Sequence, residues 1–352
     1  MNIEQLTAQA IDLLSQMINT PSYSREETQV SDLFQQFAED KGFVVKRELN
    51  NVIIMPKMDD SKPTILLNSH LDTVKPSSSW TKDPHCATTV GERLYGLGSN
   101  DAGASVVSLF MAFQELSAKT QEYNLIFMAS AEEEVSGKHG VEHALKLLPT
   151  IDFAIVGEPT EMHPAIAEKG LMVLDGVAKG KSGHAAREEG VNAIYKAMRD
   201  VQWVSEFQFP KVSDLLGPVK MSVTVINAGE RHNVVPDECH YVMDVRSNEK
   251  YTNEEVFEII DQHTEAEMTA RSYRLNSSFT ESDHPFLLRA VAKGRKPYGS
   301  PTLSDQCLMR FPTVKMGPGM SARSHTADEF IKASEIQEAI GLYIELLDGL
   351  KL

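Results

Sequence analysis

Five side chains in this chain have the types and settings of metal ligands: His70, Asp101, Glu134, Glu158 and His325. Imidazole nitrogens and carboxylate oxygens without thiolates suit a catalytic zinc or a similar divalent ion. His70-Leu71-Asp72 closes the apolar run Thr64-Ile65-Leu66-Leu67-Asn68-Ser69. Asp101 ends the glycine-rich turn Gly96-Leu97-Gly98-Ser99-Asn100-Asp101, and Glu134 ends Glu132-Glu133-Glu134. Glu158 lies in Gly157-Glu158-Pro159-Thr160. His325 lies in Ser324-His325-Thr326-Ala327-Asp328-Glu329, after Gly317-Pro318-Gly319. Converging carboxylates raise one another's pKa and oppose folding unless cations neutralise them. Two divalent ions about 3.5–4 Å apart, shared by one carboxylate, would remove that repulsion.

Taken singly, each residue has a plainer reading. His-x-Asp is common by chance, and Glu132 to Glu134 reads equally as a solvated acidic turn. Asp101 reads as a helix N-cap and His325 as a loop histidine. Gly96-Leu97-Gly98 lacks the rest of a dinucleotide fingerprint. Asp305, in Ser304-Asp305-Gln306, reads as a local Asx turn, and Cys307 as a small buried apolar residue. The order and context of the set favour the metal reading.

The elements that must position these residues read as an α/β sheet. Thr64 to Leu67, Asn124 to Ala129 and Asp152 to Val156 are short apolar runs with the signature of buried strands. Phe43 to Val45, Val52 to Met55 and, late in the chain, Val314 to Met316 add further strands. Ligand sites in open α/β sheets lie at the carboxyl ends of strands, where His70, Glu134 and Glu158 fall. Asn2 to Ile18, Gly103 to Leu116 and Ser334 to Leu347 have helical spacing. Ser24-Arg25-Glu26-Glu27 has the capping-box pattern and predicts a second helix that carries Val30, Leu33, Phe34 and Phe37 and ends at Gly42. After about Glu168 the pattern changes. Strands at Leu171–Ala178, Lys220–Ile226, His240–Val245 and Arg271–Leu275 alternate with helices at Val191–Phe207 and Asn253–Met268. This is a β-α-β-β-α-β, ferredoxin-like order. The expected organisation is a discontinuous mixed-sheet catalytic domain over 1–167 and 283–352, interrupted by a second domain over 168–282.

Composition narrows the function. A length of 352 residues favours about two domains. The formal net charge of −16 repels phosphate backbones and anionic membranes, so nucleic-acid and membrane partners are not expected. Three cysteines, widely spaced, argue against a disulfide framework or a thiolate zinc site. No apolar stretch approaches the roughly 20 residues of a membrane span. The N-terminus lacks the basic start and apolar core of a signal peptide, which makes the cytoplasm the expected location.

The order of these segments resembles the family of dinuclear zinc metallopeptidases that includes acetylornithine deacetylase, succinyl-diaminopimelate desuccinylase, aminoacylase and carboxypeptidase G. The resemblance covers nearly the whole chain. It implies that Asp101 bridges two zinc ions, for which cobalt or manganese could substitute. His70 and Glu158 would complete one site, Glu134 and His325 the other. It makes Asp72 the orienter of His70 and Glu133 the general base. In the second domain, Gly180-Lys181-Ser182-Gly183-His184-Ala185-Ala186 is similar to a family segment whose histidine stabilises the oxyanion, often in the partner subunit of a dimer. Asn233 and Arg246 are similar to residues that contact the substrate, the arginine at its carboxylate. The implied reaction is removal of an acyl group from an N-acyl-amino acid. Acetylornithine deacetylation in arginine biosynthesis comes first, desuccinylation next, then dipeptidase or aminopeptidase action. An inactive binding or dimerising module is the contrasting class, which an intact Glu133 disfavours. Two departures stand out. Ser69 replaces the usual glycine before the histidine, and Ala102-Gly103-Ala104 replaces a lysine-containing pattern.

Overall fold

The computed structural model describes residues 2–187 and 189–352. The chain divides into two compact units. One takes in the chain up to Ile166, Thr280–Tyr298 and Ser304–Leu352; the other takes in Ala167–Phe279 and Gly299–Leu303. No helix among the described residues is long and apolar enough to cross a membrane.

The first unit is built on a mixed sheet. Its strands run in the order Val45–Glu48, Asn51–Ile54, Asn124–Ser130, Thr64–His70, Phe153–Val156 and Thr313–Lys315. The four from Asn124–Ser130 to Thr313–Lys315 are mutually parallel. Thr64–His70 and Asn124–Ser130 are buried along their whole length. A strand covered on both faces reads as a continuous apolar run, and that is how these two appear in the sequence. Side chains alternate across the sheet. Ile65, Leu67, Leu125 and Phe127 join a core with the helices Ile3–Ile18, Thr28–Asp40, Ala104–Ser117 and Ala333–Leu347. Leu66, Ile126 and Met128 join Val141, Ala144 and Ile151 on the opposite face. Phe34, Phe110 and Phe127 pack ring against ring at the centre of the first core.

In the second unit the element order is β-α-β-β-α-β. Four antiparallel strands lie in the order Lys220–Ala228, Glu238–Arg246, Met172–Lys179 and Glu267–Ala270. Helices Ala193–Glu206 and Asn253–His263 contribute Ala193, Ala197, Val256 and Ile260 to a core with Leu174, Tyr241 and Met243.

Two local expectations are corrected, and the plainer reading of Asp101 is set aside. Ser24 does not cap a helix: the second helix is Thr28–Asp40, and its N-cap residue, Glu27, makes no side-chain capping bond. The side chains of Ser24 and Glu27 are committed to longer-range bonds described below, which outweigh a local cap. The helix expected over 253–268 stops at His263, and the last strand is Glu267–Ala270 rather than 271–275. Asp200 accepts the Glu265 and Ala266 N–H groups at 2.9 and 3.1 Å and turns the chain early. Asp101 is not a helix N-cap: it sits inside an irregular turn, Ser99–Gly103, ahead of the helix Ala104–Ser117. Sequence reading also missed a small sheet of Thr88–Val90, Arg93–Tyr95 and Phe330–Lys332, whose strands are too short to show a period.

Candidate metal centre

The parallel strands end in register, with His70 opposite Ser130 and Val156 opposite both Asn68 and Lys315. Each strand therefore releases its chain at the same edge. His70 is the last residue of its strand, Glu133 and Glu134 follow Ser130, and Glu158 follows Val156. The loop after Lys315 leads to His325. Gly317 allows the last loop to close on the site, because a Cβ there would lie 2.5 Å from the Glu158 carbonyl oxygen.

The five expected ligands converge as two trios, His70–Asp101–Glu158 and Asp101–Glu134–His325, the ligating atoms of each within 4.8 Å of one another. His70 Nε2 lies 3.3 Å from Asp101 Oδ1 and 3.6 Å from Glu158 Oε1. His325 Nε2 lies 2.9 Å from Glu134 Oε2 and 3.7 Å from Asp101 Oδ2. Asp101 thus offers one oxygen to each trio. Glu133 places Oε2 3.9 Å from His70 Nε2.

The electrostatics fit cations. Burial, followed by repulsion from Glu158, Asp305 and Glu134, raises the Glu133 carboxyl well above its usual range. Burial and repulsion from Asp101 do the same for Glu158, and burial raises Glu134. Like charges about 4 Å apart repel by roughly 4 kcal/mol at an effective dielectric near 20. Burial alone would lower His70, but its bonds to Asp101 and Asp72 prevail and leave it raised. The bond to Glu134 lifts His325 to about 9. Divalent ions would replace the protons that these pairs otherwise share, and the N/O donor set suits zinc or its neighbours.

Asp72 has more partners than its sequence position suggests. His70 Nδ1 lies 2.9 Å from the Asp72 main-chain oxygen and 3.5 Å from its carboxylate. The carboxylate itself accepts the Ser24 hydroxyl at 2.7 Å and the Glu133 and Glu134 N–H groups at 3.0 and 3.1 Å. It therefore holds the expected base and one expected ligand as well as His70. Glu27, fully buried, accepts the Glu132 N–H at 3.1 Å and steadies the same turn. Ser69, in the place of a glycine, donates to the Gly157 carbonyl at 2.8 Å, one residue before Glu158.

Asp305 is no surface turn. It is buried and accepts Asn68 Nδ2 at 3.0 Å and Ser130 Oγ at 2.7 Å, tying two strand ends together, and burial raises its carboxyl to about 6. Ser24 was visible in the sequence only as a local cap signal.

The remaining three expected residues belong to the second unit. His184 is exposed, in a two-residue strand paired with Val234–Val235, and Ala185 N–H donates to the Asn233 carbonyl at 3.0 Å, so these two expected residues are neighbours. Ala186 N–H donates to His184 Nδ1 at 3.1 Å. In the neutral ring this leaves the proton on Nε2, which can donate. Arg246 forks onto Asp244, with Nε and Nη2 at 2.8 and 3.0 Å from its carboxylate oxygens. A substrate carboxylate would have to share or displace that contact.

Ser24→Ala removes a hydrogen bond to a buried charge and should lower unfolding stability by about 1–3 kcal/mol. Urea denaturation of the metal-free protein measures it; an unchanged midpoint would contradict the hub role of Asp72.

The profile of peptidase family M20/M25/M40 matches residues 66–349. Acetylornithine deacetylase of Photorhabdus laumondii is 25% identical over 375 aligned positions, covering 96% of each chain. Succinyl-diaminopimelate desuccinylase 2 of Alteromonas mediterranea is 24% identical, covering 98% of this chain and 99% of the relative. Among solved structures, the Bacillus subtilis YXEP protein, described as a dinuclear metal-binding peptidase of the M20 family, superposes with a TM-score of 0.74. It is 17% identical, with 98% of both chains covered, and its likeness is one of fold.

Proposed function

Because the chain belongs to peptidase family M20/M25/M40 and is a hydrolase of amide bonds, we propose that it removes the acyl group from an N-acyl-amino acid at a two-zinc centre. N-acetyl-L-ornithine is the first substrate to test and a succinylated amino acid the second. The observation that carries the two-metal reading is the division of the Asp101 oxygens between two complementary ligand sets. Relatives named as a deacetylase and as a desuccinylase support the two acyl groups.

Bound divalent ions supply Lewis acidity toward the scissile carbonyl and acidify a water. The protein's own groups do the rest. Glu133, buried and raised in pKa by its neighbours, is suited to take the water proton and return it to the leaving amine. Such a carboxylate contributes about 10²–10⁴-fold in rate. His184 Nε2–H is suited to the oxyanion, Arg246 to a carboxylate and Asn233 to a further polar contact.

Glu133→Ala should lower kcat by about 10²–10⁴-fold while two zinc ions stay bound. The comparison is kcat/KM on acetyl- and succinyl-amino acids beside elemental analysis. Turnover at the wild-type rate would end the base assignment, and a wild type inactive on the whole panel would end the N-acyl-amino-acid reading. Arg246→Ala should weaken kcat/KM mainly for substrates with a free carboxylate; equal losses on the amidated analogues would remove its clamp role.

A homodimer is proposed through the second unit. The edge strand Lys220–Ala228 leaves Val225 and Ile226 about half exposed, and Tyr195 and Met198 on helix Ala193–Glu206 are likewise exposed. A long apolar edge is a template for pairing with another chain. Light scattering after size exclusion should give twice the chain mass, falling to one chain mass for Ile226→Lys. A wild-type monomer at micromolar concentration would refute it.

A further inference from the structure

Asp101 and His325 stand on irregular backbone. Asp101 lies in the turn Ser99–Gly103 with φ −123° and ψ 97°, and His325 has φ +57°, in the left-handed region. His70, by contrast, ends a strand. Ligands on loops need an external reference to keep a fixed separation. The residues three and four positions after His325 provide it.

Glu329 is 2% exposed. Its carboxylate accepts the Gly98 N–H at 3.1 Å on one oxygen, and those of Asn100 and Asp101 at 2.7 and 2.8 Å on the other. Its carbonyl accepts the Gly96 N–H at 3.1 Å. The turn of Gly98, φ +77°, lets these N–H groups face one side, as in an anion-binding nest. The Asn100 side chain completes the link, donating to the Met320 carbonyl at 3.1 Å and accepting the Met320 N–H at 3.0 Å. Asp328 reaches the opposite way. It accepts the Thr81 and Lys82 N–H groups at 2.9 and 3.0 Å, together with the Thr81 hydroxyl.

We propose that Glu329 and Asp328 are positioning residues that set metal occupancy, Glu329 by fixing the shared ligand Asp101 against the His325 loop and Asp328 by fixing His325 alone. A carboxylate is required at 329 because all three donors are N–H groups and both oxygens are used. An amide would turn its NH₂ toward at least one of them and leave a buried donor unsatisfied. Loss of Glu329 therefore frees Asp101, and both trios contain Asp101. The Asp328 carboxylate is bonded to Thr81 and Lys82 and not to the Asp101 turn, so its loss reaches only the Glu134–His325 trio.

This rests on the two-metal reading, and one experiment separates the two. The full-length protein is stripped with EDTA, and zinc is titrated back in competition with a chromophoric chelator. The metal-free Tm of each variant is measured in parallel. Wild type should take up two zinc ions. Glu329→Gln should weaken both by about 10–100-fold, the range typical of residues that orient ligands. Asp328→Asn should weaken one by that factor and leave the other unchanged. Wild-type affinity at both sites in Glu329→Gln, or equal weakening of both sites in Asp328→Asn, would overturn the proposal. A wild type that takes up no zinc would instead overturn the two-metal reading and this proposal with it. Should Glu329→Gln lack a folded baseline, Asp328→Asn decides alone, since its bonds are at the surface.

Discussion

Asp101 turns one oxygen toward His70 and the other toward His325, and the surrounding structure keeps it there. Without that division the carboxylates at the strand ends would be a cluster of like charges, costly to bury. With it they become two ligand sets, each able to neutralise a cation. Parallel pairing of Asn124–Ser130, Thr64–His70 and Phe153–Val156 makes the convergence possible, because strands that end in register bring separate stretches of chain to one edge. Antiparallel neighbours would send alternate loops to opposite edges.

Two buried carboxylates outside the ligand sets hold this arrangement. Asp72 gathers Ser24, His70 and the turn of Glu133 and Glu134, and Glu329 gathers the turn that carries Asp101. Both accept main-chain N–H groups. Fixing a loop's backbone costs about 1–2 kcal/mol of conformational entropy per residue, and several bonds onto one buried carboxylate offset that cost together. Glu133 and Glu134, the proposed base and ligand, are adjacent, yet they face His70 and His325 respectively, and the turn between them is pinned by Asp72 through both N–H groups.

The candidate metal ligands were legible only as a set. Singly each has a plainer local reading, and it is their order along the chain, each at a strand end or in a loop, that favours metal. Strand positions were legible one by one: a strand buried on both faces must be apolar throughout. What misled was local signal overruled from a distance. Ser24-Arg25-Glu26-Glu27 matches a capping box, but Ser24 is bonded to Asp72 and Glu27 to the Glu132 N–H. Asp305 has the look of a turn residue, but it is buried between Asn68 and Ser130. Helix 253–263 ends early because Asp200, on another helix, captures the following N–H groups.

By itself the sequence pointed to the side chains that could hold metal, the strand ends that carry them, and a β-α-β-β-α-β segment between the first two of the three stretches of the first unit. Each follows from residue type and short-range periodicity. Only the tertiary structure decided how the Asp101 oxygens are shared and which residues hold the ligand loops. Ser24 reaches Asp72 across 48 positions, and Glu329 reaches Gly98 across 231. No periodic pattern carries such pairs; they exist only once strand register has placed the two loops side by side.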